Sequence, residues 1–143
     1  ISKLDQYHIK PSSICFEITE TAAINNLKQA TLFMKQLRKH GCKFSLDDFG
    51  SGLSSFTYLK KLEVDYLKID GAFVEDMLHD PIDHAMVAAI NQVGHIMGIK
   101  TIAEFACSDD IVKQLKQMGV DYAQGFAVGE PVAISAYQED QTG

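Results

Sequence analysis

The sequence has 143 residues, 46% of them apolar, and a formal net charge of −6. That length fits one domain with a real core and excludes a disordered chain as the main reading. The acidic balance, without long charge runs, argues against binding a nucleic acid polymer through a basic face.

In chain order, "ICFEI" (14–18) is the first strand-like run, with Cys15 reading as core. Helical spacing follows over 25–40 through Leu27, Ala30, Met34 and Leu37, and Gly41 ends it. "KFSLDDF" (43–49) is the second strand. After a Gly/Ser-rich turn, "SSFTYLKKL" reads as a short helix, and "DYLKID" (65–70) as the third strand. Asp80 caps the clearest helix, with Pro81 at its first position and Gly98 as its stop. "KTIAEF" (100–105) is the fourth strand, Ser108 caps a helix ending at Gly119, and "VDYAQGF" (120–126) is the fifth strand. Strands alternating with helices predict βαβ units and a parallel sheet.

Each apolar run ends in polar residues: Glu17 and Glu20, Asp47 and Asp48, Lys68 and Asp70, Glu104, and Gln124. Parallel strands covered on both faces should be nearly continuous hydrophobics. Polar residues at several C-terminal strand ends therefore converge on one mouth of the sheet, where α/β folds keep their sites. Several acids, one lysine and one amide suit hard divalent ions. Two such ions about 3.5–4 Å apart clamp a phosphoryl group during in-line displacement. Taken singly, each residue has a bland reading: a strand-end Glu is usually solvated, and Asp-Asp-Phe-Gly can be only a turn. Their shared position is the signal.

Other residues carry less. The three cysteines, Cys15, Cys42 and Cys107, are irregularly spaced and indicate reduced thiols in a cytoplasmic protein. The five histidines share no ligand spacing. No apolar run approaches the roughly 18 residues of a membrane helix. Ile1 opens no signal peptide, and a first residue other than Met makes the chain read as a piece of something longer.

"FEITE" (16–20), "LDDFGSGLSSFTYLKKLEVDYLKID" (46–70), "TIAEF" (101–105) and "GVDYAQGFAVGEP" (119–131) resemble the EAL domain family in order and spacing. These are bacterial phosphodiesterases that open cyclic di-GMP to linear pGpG. The resemblance implies an α/β fold, a (β/α) TIM-type barrel present here as about five β/α units. It covers 1–134 as domain and leaves 135–143 as a polar tail. It implies two Mg²⁺ or Mn²⁺ ions in the intact domain and a GGDEF or sensory module upstream in the parent. The parent itself is expected in the bacterial cytoplasm, or anchored to the membrane upstream.

The resemblance also implies roles. Glu17, Asp47, Asp48 and Glu104 resemble metal ligands, with Asp47 bridging the ions. Lys68, Glu104 and Gln124 resemble the catalytic set around the attacking water. Glu20 resembles the anchor of the loop from Asp48 to Ser55, whose Gly50, Ser51 and Gly52 face substrate.

Two departures stand out. The Glu-Ala-Leu signature and a metal-ligand asparagine belong to strands that would precede Ile1, in roughly 100 of a barrel's ~250 residues. Cys107 stands where relatives usually carry another glutamate. Two readings stay open: an active phosphodiesterase domain, or a degenerate one that binds cyclic di-GMP or a protein. With about five of eight strands, the isolated chain is also expected to form a homo-oligomer through its open edges.

Overall fold

A computed structural model describes residues 2–50, 56–133 and 135. The chain opens with helix α1 (Ser2–Gln6) and a 3-10 turn (Pro11–Ser13), then enters strand β1 (Cys15–Thr19). Helices α2 (Glu20–Asn25) and α3 (Leu27–Arg38) lead to β2 (Lys43–Phe49). A single turn, α4 (Phe56–Leu59), precedes β3 (Tyr66–Ile69). Helices α5 (Gly71–Asp76) and α6 (Pro81–Ile96), β4 (Lys100–Ala103), α7 (Asp109–Gln117) and β5 (Tyr122–Ala123) complete it.

The five strands form one parallel sheet in the order β1-β2-β3-β4-β5. It is a partial barrel, with β1 and β5 as its outer strands. Strand alternation sorts the side chains into two faces. Phe44, Leu46, Leu67, Ile69 and Ala103 face the helices and are fully buried. They pack with Met34, Val74, Val87, Ile90, Ile111 and Leu115 into one core. Each large side chain there contributes about 1.5–3 kcal/mol of burial. The opposite, inner face carries Glu17, Ser45, Asp47, Tyr66 and Lys68.

The predicted caps hold. Asp80 accepts from Ile82 N–H at 2.7 Å, and Ser108 accepts from Ile111 N–H at 3.3 Å. Several expectations need correction. The predicted helix over 25–40 is α3, Leu27–Arg38; a separate helix, α2, precedes it and was not foreseen, with Thr19 as its cap accepting from Ala22 N–H. Helix α5 was not foreseen; Asp70 nucleates it by accepting from Ala72 N–H at 2.8 Å. The fifth strand is only Tyr122–Ala123, since the chain turns away at Gln124 and Gly125. Cys15 is exposed, because it sits on the inner face of an outer strand. Among the described residues, no helix is long and apolar enough to cross a membrane.

Candidate metal and phosphodiester site

The site grows from an irregularity in β2. Leu46 pairs with Leu67 and Phe49 with Ile69, so Asp47 and Asp48 together stand opposite Lys68. This is a β-bulge, and it re-aims a side chain that strict alternation would turn to the other face. Asp48 adopts φ 55°, a left-handed conformation that aspartate tolerates better than most residues. Two neighbouring acids can therefore serve one site. Asp48, half-freed to solvent, is pushed above the usual carboxylate range by burial and by the neighbouring Asp47 and Asp70.

Lys68 is the electrostatic centre. Its ammonium lies 2.7 Å from Asp47 Oδ1, 2.8 Å from Glu104 Oε1 and 3.6 Å from Glu17 Oε1. Its side chain is only 5% exposed. Burial alone would lower its pKa, but the Asp47 and Glu104 carboxylates outweigh burial and hold it above the ordinary lysine value. Burial pushes Glu104 up despite the opposing pull of Lys68.

One carboxylate oxygen from each of Asp47, Asp48 and Glu104 lies within 4.8 Å of the others. This acidic cluster can hold a metal cation, since clustered anionic oxygens are the donors that hard divalent ions prefer. Asp47 Oδ1 strengthens the fit: it is buried and, among the described residues, has an ion pair with Lys68 but no further hydrogen-bond partner. Glu17 reaches Lys68 from the other side and stands outside that three-residue group.

Beside the cluster, a cleft of about 410 Å³ is lined by Glu104, Gln124, Cys107, Glu130 and the rings of Phe105 and Phe126. Both rings are largely exposed. Phe105 has φ 50°, strained for a bulky residue, and follows Glu104 directly. Its ring lies over Gly71, where an added Cβ would fall 1.5 Å from Phe105 Cδ2.

Glu20 is buried at the first position of α2. It accepts from Gly50 N–H at 3.1 Å and from the Tyr58 hydroxyl. Lys68, Asp47, Asp48, Glu104 and Glu17 thus meet, Gln124 borders the adjoining cleft, and Glu20 stands beneath the end of β2. Ser51 and Gly52 lie outside the described residues. Sequence reasoning missed Phe105, Phe126 and Tyr58. An aromatic directly after a strand-end glutamate was the available signal for the first.

The short parallel sheet, with acids and one lysine at its C-terminal mouth, is a partial barrel of the TIM type that carries a candidate metal site. The EAL domain family profile matches residues 1–131, and the chain belongs to that family. It is 46% identical over 140 residues to the cyclic di-GMP phosphodiesterase PdeB of Shewanella oneidensis, covering 97% of this chain and 16% of PdeB. It is 34% identical over 128 residues to the cyclic di-GMP phosphodiesterase PdeF of Escherichia coli, covering 90% of this chain and 17% of PdeF. The chain therefore spans about a sixth of the length of these relatives. Among solved structures, the PaMucR phosphodiesterase in complex with c-di-GMP superposes with a TM-score of 0.90 at 33% identity, over 95% of this chain and 55% of that one. The Pseudomonas aeruginosa FimX EAL domain bound to c-di-GMP gives 0.85 at 31% identity, over 91% and 53%.

Proposed function

We propose that this chain supplies about half of a site that, in the complete domain, hydrolyses cyclic di-GMP to linear pGpG. The observation that carries the reading is the convergence of Asp47, Asp48 and Glu104 on the buried Lys68. Asp47, Asp48, Glu104 and Glu17 would hold two divalent cations, Mg²⁺ or Mn²⁺. Bound there, such cations neutralise the phosphodiester and acidify the attacking water. Lys68 stays protonated and places positive charge where the transition state gathers negative charge. Glu104 would stand where it can hold the attacking water and take its proton. Gln124 offers an amide that orients water. Phe105 and Phe126 offer faces on which a planar base stacks.

The complete parent would carry a GGDEF or sensory module upstream and act in the bacterial cytoplasm, with residues 135–143 as a tail. The test is cyclic di-GMP turnover by the parent domain with Mg²⁺ or Mn²⁺. Release of pGpG is expected, and binding without release would refute hydrolysis. One observation favours a second reading, a cyclic di-GMP receptor that does not cleave. Cys107 lines the cleft, and a thiol is a poor ligand for Mg²⁺. Cys107→Glu in the parent separates the two: a silent parent that gains turnover was a receptor.

A further inference from the structure

Tyr58 lies outside the acidic cluster around Lys68, yet its hydroxyl is tied to that cluster through two steps. It is a buried phenol on α4, and it donates to the Glu20 carboxylate. Glu20 is itself buried, and it also accepts from Gly50 N–H at 3.1 Å. Gly50 lies two residues beyond Asp48, immediately after β2. It has φ 108°, and an added Cβ there would meet Phe73 at 2.6 Å. The backbone after the bulge is therefore pinned from two sides, by the Glu20 carboxylate and by α5.

A buried carboxylate with fewer donors is costly and mobile in its choice of partner. Burial and the Glu20 carboxylate keep the Tyr58 phenol well above the ordinary tyrosine range, so it remains a donor at any physiological pH. We infer that Tyr58 is a positioning residue: by orienting Glu20 it fixes the Gly50 backbone, and with it the bulge that aims Asp47 and Asp48 at a divalent cation. The inference rests on the metal site proposed above, but the Gly50 amide reports on it independently.

The experiment uses the complete parent domain with two readouts: hydrogen exchange of the Gly50 amide by NMR, and Mn²⁺ affinity by electron paramagnetic resonance. Tyr58→Phe removes only the hydroxyl. It should speed Gly50 exchange roughly tenfold, as expected when one charge-assisted hydrogen bond is loosened. It should also weaken Mn²⁺ binding roughly 10-fold or more, as outer partners of ligands commonly do. Tyr66→Phe, on the inner face beside Lys43, is the control and should move neither.

Since Tyr58 acts through Glu20, adding Tyr58→Phe to Glu20→Ala should bring no further loss. Unchanged Gly50 exchange in a folded Tyr58→Phe domain overturns the proposal, whatever Mn²⁺ does. Additive losses in the double variant overturn it as well. Should the unsubstituted domain fail to bind Mn²⁺, the metal reading falls, and Gly50 exchange still decides the role of Tyr58.

Discussion

Lys68 Nζ lies 2.7 Å from Asp47 Oδ1, across a bulge that sets two acids opposite one lysine. Adjacent aspartates repel each other, and the buried ammonium is what makes their shared position tolerable. Removing one partner of a buried pair leaves an uncompensated charge, at about 3–5 kcal/mol. Lys68→Met should lower metal-free stability by roughly that amount in urea denaturation. Mn²⁺ should recover part of the loss, because a cation bound to the folded state stabilises it by mass action. An unmoved midpoint would show that the pair is not formed in solution.

Asp47→Asn keeps the shape of the side chain and removes its charge. In the complete domain it should abolish cyclic di-GMP hydrolysis while circular dichroism stays unchanged, since one shared ligand serves both ions in the proposed site. Activity within a few-fold of the unsubstituted domain would take Asp47 out of the centre.

The legible parts of this molecule were those with local causes. Hydrophobic spacing marked all five strands, and Asp80 and Ser108 announced their helices. The convergence of acids was legible too, because parallel strands bring their C-terminal ends together. The bulge was not, since it exists only as a register mismatch between β2 and β3. The exposure of Cys15 was hidden for a similar reason: it depends on β1 being an outer strand. The link from Tyr58 to Glu20 spans 38 positions and no periodicity reports it.

Two glycines near the cleft should respond unequally to alanine. At Gly71 the intruding Cβ meets the Phe105 ring, which is exposed and can swing aside. At Gly125 it meets the Ala106 backbone at 2.4 Å, which cannot yield without moving the strand end. Gly71→Ala should cost less than about 1 kcal/mol yet weaken base binding by displacing the ring. Gly125→Ala should cost on the order of 1–3 kcal/mol, as overpacking does. Thermal denaturation and cyclic di-GMP titration of the complete domain check both, and equal stabilities would contradict the distinction.

Asp121 should give the fold an acid limit. Burial would raise its pKa, but Thr101 N–H at 2.9 Å and His95 at 2.8 Å outweigh burial and hold it below the ordinary carboxylate value. The folded state therefore binds this proton less readily than the unfolded chain. The contribution is full above the ordinary value near ~4 and is lost as pH falls through the lower folded value. Asp121→Asn should flatten that part of the stability profile below about pH 4. It should also cost about 1–3 kcal/mol at neutral pH by weakening donors on the buried Thr101. An unchanged acid limb would mean that the carboxylate is protonated equally in both states.

The last expectation concerns the chain by itself. Its sheet ends at β1 on one side and β5 on the other. Outer strands with unpaired backbone groups invite pairing with another chain. Leu32 and Phe33 on α3 add exposed apolar surface near the β1 edge. Strand β5, at only two residues, is a poor template, whereas β1 offers five. Self-association should therefore run through β1. The Lys43 N–H to Ile14 carbonyl bond and the Cys15–Lys43 register turn the Phe16 and Ile18 N–H groups toward β2 and leave that of Cys15 on the open side, so a proline at Cys15 should weaken association by removing a free donor. Light scattering coupled to size exclusion is expected to show a mass above the 15.8 kDa monomer. The same peak should bind Mn²⁺ weakly and hydrolyse no cyclic di-GMP, because ligands on the missing strands would be needed to complete the site. A folded monomer would show that the open edge is protected by other means; turnover in that peak would show that the residues converging on Lys68 suffice.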